Sequence, residues 1–353
     1  MTDIALTVNG KKYEGWTSAR VTRGIESIAG GFELSVSDRW RGDIAPWPIL
    51  PEDECTIGIG GRIVITGYVD SRRSSYDAST RSLSLSGRDK TSALVDCSAV
   101  LKSWEFVGVS VLDIASKLAK PFGIPVTLNA TGTVPKPAKV SVDPGDTPFE
   151  AIDRACRLTG LLPVSDGKGG LVLMRPGSMR TVTELVEGEN ILSASGAFDA
   201  SGRFRRYVVL GQHSGSDELF GKLASAVTAS AQDAGVRRSD RVLVVRPEGN
   251  VSVAQAQRRA EWEATVRAAR ADSITVTVQG WTQADGNLWP VNAMVHMRSP
   301  SIGVDGDLLI SQAVYSVGSE GTTTELTLRR PDAFKPEPVI KPQGAWGELA
   351  GGV

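Results

Sequence analysis

The amino-acid sequence predicts a mixed, mainly β fold: two similar small β-barrel domains flanking a small α/β domain, followed by an extended, proline-rich C-terminal tail. Three observations lead there. Short apolar runs of period two fill the first hundred residues and return after about residue 190, and 38 glycines punctuate the chain. From about residue 104 the period lengthens to that of amphipathic helices. A strand–turn–strand pattern near residue 65 also recurs near residue 310. The expected divisions are 1–100 (N-terminal barrel), 101–188 (α/β domain), 189–332 (C-terminal barrel with one helix) and 333–353 (tail).

Ile4-Ala5-Leu6-Thr7-Val8 runs into Asn9-Gly10, the pair best suited to a two-residue hairpin because both positions need positive φ. Phe32-Glu33-Leu34-Ser35-Val36 and Arg81-Ser82-Leu83-Ser84-Leu85-Ser86 alternate as half-buried strands do. Cys55 to Ile59 and Ile63 to Thr66 flank Gly60-Gly61 as a second hairpin. Short strands at this spacing, with glycine turns, predict a small barrel or sandwich.

Ser110 is placed to cap a helix carrying Val111, Leu112, Ile114, Ala115 and Leu118, ended by Pro121 and Gly123 and followed by a strand over Ile124 to Leu128. Thr147-Pro148-Phe149-Glu150 is a capping box with proline at the first helical position. Its helix buries Phe149, Ile152, Ala155 and Cys156 and closes at Gly160. A hairpin of Leu161 to Val164 with Leu171 to Met174 follows. The two helix–strand units align at an offset of 37 residues (147 − 110).

Beyond residue 190, strands are expected at Arg206 to Leu210, Val242 to Arg246, Ser273 to Val278, Val291 to Met297, Leu308 to Val317 and Thr323 to Arg330. One helix, capped by Ser252 with Gln255 three residues on, runs to about Ala271 with Ala256, Ala260, Ala264 and Ala268 on one stripe. Gln212 to Val236 is polar and rich in small residues, and reads as a long mobile loop. From Pro331 the chain is too proline-rich for helix or central strand, so it reads as extended. Ile65-Thr66-Gly67-Tyr68-Val69-Asp70-Ser71 matches Ile310-Ser311-Gln312-Ala313-Val314-Tyr315-Ser316 in pattern. Thr80 to Leu85 likewise matches Thr323 to Leu328, and Asp89 falls on Asp332.

Chemistry is sparse. Lys+Arg (39) balances Asp+Glu (40), so no long-range field draws nucleic acid or an anionic membrane. No apolar run approaches the roughly 18 residues of a membrane span, and the N-terminus lacks the marks of a signal peptide. Cys55, Cys97 and Cys156 read as apolar fillers in a reducing compartment. The two histidines, His213 and His296, sit in a loop and a strand without metal-ligand spacing. No catalytic, metal or cofactor-binding set emerges, and the expectation is a protein that is not an enzyme and carries no cofactor. Of eight tryptophans, Trp346 stands in a tail without a core and is a candidate anchor on a partner.

Gly15-Trp16-Thr17-Ser18-Ala19-Arg20-Val21-Thr22-Arg23-Gly24-Ile25-Glu26-Ser27-Ile28-Ala29-Gly30-Gly31-Phe32-Glu33-Leu34 resembles the opening of the baseplate hub proteins of Mu-like contractile-tailed phages. So do Thr66-Gly67-Tyr68-Val69-Asp70-Ser71-Arg72-Arg73 and Ser86-Gly87-Arg88-Asp89-Lys90-Thr91 with Leu94-Val95-Asp96-Cys97. That family is related to the hub of T-even phages and to the N-terminal part of type VI secretion spikes. The resemblance implies a homotrimer with two barrels per subunit, an adaptor between a sixfold tail tube and a threefold spike. It implies as partners the tail tube protein, the spike protein, and tape measure and other baseplate proteins. DNA is met only in passage, and no stable membrane association is implied. The expected setting is the tail baseplate of the virion, assembled in the host cytoplasm. Spike contact is expected in the tail, at Phe334, Pro336, Pro338, Pro342 and Trp346. The alternative is a cell-wall-degrading or peptidoglycan-binding tail protein, which would need a catalytic segment.

Overall fold

The computed structural model describes residues 4–39, 48–212, 226–247, 251–319 and 321–338. Seven strands open the chain: β1 (Ile4–Val8), β2 (Lys11–Tyr13), β3 (Ser18–Gly24), β4 (Gly31–Arg39), β5 (Glu54–Ile59), β6 (Arg62–Tyr76) and β7 (Thr80–Asp89). The hairpin signals hold because the turn residues adopt the backbone they were chosen for: Asn9 and Gly10 have φ of 51° and 75°, Gly60 and Gly61 of 55° and 75°.

A helical region follows, with α1 (Ala93–Asp96), β8 (Glu105–Val107), α2 (Val111–Ala119), β9 (Val126–Asn129), β10 (Lys139–Ser141), α3 (Pro148–Thr159), β11 (Leu162–Ser165) and β12 (Leu171–Met174). Ser110 accepts from Asp113 N, and Thr147 with Glu150 forms the complete capping box. Ile114, Ala115 and Leu118 of α2 and Ala151, Ile152 and Ala155 of α3 share one core. The strands after the two helices join one sheet, β9 and β11 lying on either side of β12.

Next come β13 (Met179–Arg180), β14 (Leu185–Val186), β15 (Ile191–Phe198), β16 (Arg206–Gln212), β17 (Ala226–Gln232), β18 (Val242–Val245) and α4 (Val253–Arg270). The chain then forms β19 (Asp272–Gln279), β20 (Ala293–Ser299), β21 (Val304–Gly318), β22 (Gly321–Arg329) and a 3-10 turn at Pro331–Phe334. Contacts divide the chain into two compact units, one of residues 1–196 with 274–329, the other of residues 197–273 with those described after 329. In the second unit α4 lays Ala256 and Ala260 on Val209, Val227 and Ala229 of the sheet β17-β16-β18.

Three expectations change. First, the fold is mainly β, yet among the described residues no sheet closes into a barrel. Instead β3 pairs with β21 from Ala19↔Val317 to Gly24↔Gln312. This makes one sheet in the order β15-β19-β22-β21-β3-β4-β7-β6-β5-β1-β2. Two β modules are thus fused at an edge that a separate barrel would have closed on itself. Second, the expected loop of Gln212 to Val236 contains β17: the small residues Val227, Ala229 and Ala231 alternate with polar ones and fit under α4. Third, the start of the tail is a 3-10 turn with Ala333 buried, not extended chain. His213, Pro342 and Trp346 lie outside the described residues.

The repeat also shifts. β6 and β21 are both 15 residues long, and each breaks register against its hairpin partner, between Val69 and Ser71 and between Ile310 and Gln312. Such a bulge bends a strand and fixes register. Superposing the bulges sets Asp70 on Ser311, an offset of 241 (311 − 70). The sequence motif sets Asp70 on Tyr315, an offset of 245 (315 − 70). With the smaller offset the buried Leu83 and Leu85 fall on the buried Thr324 and Leu326.

Candidate functional site

The pairing registers assemble a two-faced sheet. One row reads Val278, Thr324, Tyr315, Val21, Phe32, Gly87 and Val69 across seven strands, and all are buried. The next row, one residue away along six of the strands and two along β6, where the bulge intervenes, reads Gln279, Thr323, Ser316, Arg20, Glu33, Ser86 and Ser71. Each is half-buried or exposed. Period-two alternation in every strand therefore yields one apolar face and one rich in hydroxyls. Hydroxyl pairs tie the polar face across strands: Ser35 to Ser84 at 2.9 Å, Ser71 to Ser86 at 2.8 Å and Ser75 to Ser82 at 2.7 Å. Its charges come in both signs, with Arg20 lying 3.6 Å from Glu325.

Where β7 ends, Asp89 joins this sheet to the helical region. It accepts from Gly30 N at 2.8 Å, from Thr91 N at 2.9 Å and from the Thr91 hydroxyl, while Thr91 also donates to Ile28 O at 3.1 Å. Burial pushes the Asp89 carboxyl above the usual carboxylate range, against the pull of those hydrogen bonds. Arg23 donates to Ser165 O at 3.0 Å across the same junction.

Of the candidate tail residues, Phe334 is half-buried, Pro336 exposed and Pro338 half-buried. They follow a segment held on α4: Trp262 Nε1 donates to Lys335 O at 2.9 Å and Arg270 Nε to Ala333 O at 3.1 Å, and Glu337 pairs with Arg259. Beneath this lies buried Glu263, bridged to Arg259 at 2.9 Å and to Arg267 at 2.6 Å. The sequence signal for this clasp is the i,i+4 spacing of Arg259, Glu263 and Arg267, which reads equally well as a solvated face.

The remaining chemistry is muted. Burial pushes the Cys55 thiol up to about 12 and raises that of Cys156 as well, which removes thiolate character from both. His296 lies 3.2 Å from Asp305 and 3.1 Å from Asp307 on an exposed strand pair. Among the described residues no group of three His, Cys, Asp or Glu side chains could hold a metal, and no helix is long and apolar enough to cross a membrane.

Models of three phage families match successive stretches: the Mu phage baseplate assembly protein GpP-like N-terminal domain over residues 3–89, the second domain of baseplate hub protein gp44-like proteins over 91–175, and the fourth domain of Mu phage baseplate assembly protein GpP over 252–337. The baseplate hub protein gp44 of Escherichia phage Mu is 32% identical over 339 residues, 94% of this chain and 88% of that protein. The chain belongs to the Mu-like baseplate hub family. The crystal structure of the 43 kDa tail protein of prophage MuSo2 from Shewanella oneidensis agrees with TM-score 0.84 at 32% identity, covering 94% of this chain and 99% of that one. The tail protein from Neisseria meningitidis MC58 agrees with TM-score 0.79 at 27% identity, covering 95% and 98%. A structural role in the baseplate of a phage tail follows for this hub-family chain, and its relatives carry structural names.

Proposed function

We propose that this hub works as a homotrimeric adaptor that joins the sixfold tail tube to the threefold spike in the virion, after assembly in the host cytoplasm. The observation that carries this reading is the single sheet with two long, bulged strands, β6 and β21, each heading a module of the same order. Three such chains present six β modules to the tube and threefold symmetry to the spike. The hydroxyl-rich face would line the central channel. Retention of DNA needs clustered cations, and mixed-sign charges among hydroxyls would let it pass.

The two modules are proposed to be barrel-like counterparts on either side of the α/β region, with tape measure and other baseplate proteins as further neighbours. The clasp on α4 would launch the tail, so that Phe334, Pro336 and Pro338, and beyond them Pro342 and Trp346, meet the spike. The test is the native mass of the hub reconstituted with spike and tube proteins. Three hub chains per spike are expected; one or two chains per spike would overturn the reading.

A further inference from the structure

We propose that a concavity on the second compact unit is the docking site of an extended, acidic peptide segment of another protein, with one of its carboxylates taken by Arg267. This goes beyond the adaptor reading and requires neither the trimer nor the spike contact of the tail. The concavity holds about 430 Å³, within the roughly 300–1,000 Å³ of ligand-binding clefts. It is lined by Arg259, Trp262, Glu263, Arg267 and Arg270 of α4 and by the turn that contains Asp199. All of these residues belong to the second unit.

The acids in the lining are already engaged. Asp199 accepts from Ser201 N and from the Ser201 hydroxyl, both at 2.7 Å. Glu263, 4% exposed, sits midway between two arginines, four residues from each. Its Oε1 accepts from Arg259 Nε at 3.1 Å and Nη2 at 2.9 Å, and its Oε2 from Arg267 Nε at 2.6 Å. The two arginines then differ. Arg259 gives its remaining Nη1 to Glu337 of the tail. Arg267 gives only its Nε, and its two amino groups have no hydrogen-bond partner among the described residues. The ring of Phe204 lies 6.0 Å from the Arg267 guanidinium and steadies it. A fixed guanidinium with free amino groups fits a carboxylate in two parallel hydrogen bonds.

The tail shows what kind of ligand this helix takes. Trp262 Nε1 donates to Lys335 O at 2.9 Å, Arg270 Nε donates to Ala333 O at 3.1 Å, and Glu337 meets Arg259. Indole and guanidinium thus hold main-chain carbonyls while a second guanidinium holds a side-chain carboxylate. Arg267 stands eight residues along, about two helical turns, and lacks the counterpart of Glu337 (267 − 259 = 8). A polyanion such as nucleic acid fits less well, because two carboxylates share the lining and such ligands need clustered, uncompensated cations. Residues 197–273 carry twelve Lys and Arg against nine Asp and Glu (12 − 9 = +3), whereas the whole chain is at −1, so an acidic segment is steered toward this unit.

The test is fluorescence anisotropy of labelled hexaglutamate with the full chain at low salt, beside hexaglutamine and octathymidylate. Hexaglutamate should bind at least about tenfold tighter than hexaglutamine, and Arg267→Gln should weaken it at least about tenfold. Arg258→Gln, an exposed arginine of α4 outside the lining, should change it by less than about twofold. Because Arg267 also holds buried Glu263, thermal melts accompany each variant. If Arg267→Gln does not fold, Arg270→Gln decides, with a loss of at least about threefold expected. Equal binding by the deciding variant and the parent would overturn the proposal, as would an equal loss in Arg258→Gln or tighter binding of octathymidylate. Failure of the full chain to bind hexaglutamate would overturn it too. Binding that then appears once residues 339–353 are removed would make the chain's own tail the occupant in place of a partner.

Discussion

Removing the Asp89 side chain should weaken the joint between the sheet and the helical region, and the size of the effect can be worked out. Asp89 is 1% exposed and satisfies two backbone donors, Gly30 N and Thr91 N, besides the Thr91 hydroxyl. Asp89→Ala would leave both buried N–H groups without an acceptor, at about 1–3 kcal/mol each. Relief from burying a carboxylate offsets part of this, so a net loss of about 2 kcal/mol or more is expected near neutral pH. The pH dependence provides a second readout. The folded carboxyl sits above its unfolded value of about 3.9. The native state therefore holds the proton more tightly, and the contribution of Asp89 is fully present below the unfolded value and declines as pH rises through the folded one. The stability gap between the parent and Asp89→Ala, measured by urea unfolding, should widen on acidification. Other carboxylates titrate in both proteins and cancel. A gap below about 0.5 kcal/mol, or one that narrows in acid, would refute the assignment.

Further outcomes follow from the same contacts. A methyl at Gly87 would lie 2.2 Å from Tyr68 O and 2.5 Å from the Phe32 ring, so Gly87→Ala should cost about 1–3 kcal/mol or more in thermal unfolding, while Gly306→Ala, with open space around it, should stay within about 0.5 kcal/mol. Thr147→Ala removes half of the α3 capping box and should cost about 1 kcal/mol by chemical denaturation. Trp262→Phe forfeits the hydrogen bond to Lys335 O and should make the chain near residue 335 more sensitive to limited proteolysis, with the sheet of residues 1–196 intact. Deleting residues 339–353 should lower spike capture in a pull-down without altering thermal stability; full capture would remove the tail from the proposed spike contact.

What could be read in advance was whatever is encoded locally. Asn9-Gly10, the Ser110 and Thr147 caps and the alternation of Phe32 to Val36 each dictate their structure within a few residues, and each appears where expected. The fusion of the two β modules could not be read, because β3 and β21 pair across almost three hundred residues and nothing in Ala19 to Gly24 names its partner. The repeat is misplaced because a slip of four residues (245 − 241) keeps the period-two alternation in phase, and only the bulges, which show in the registers, tell the two alignments apart. β17 escapes the pattern because the residues it turns to α4 include buried Ala229 and half-buried Ala231, whose apolar signal is weak until the helix lies over them. The polar face needed registers: its serines stand on separate strands and form a surface only when those strands are set side by side.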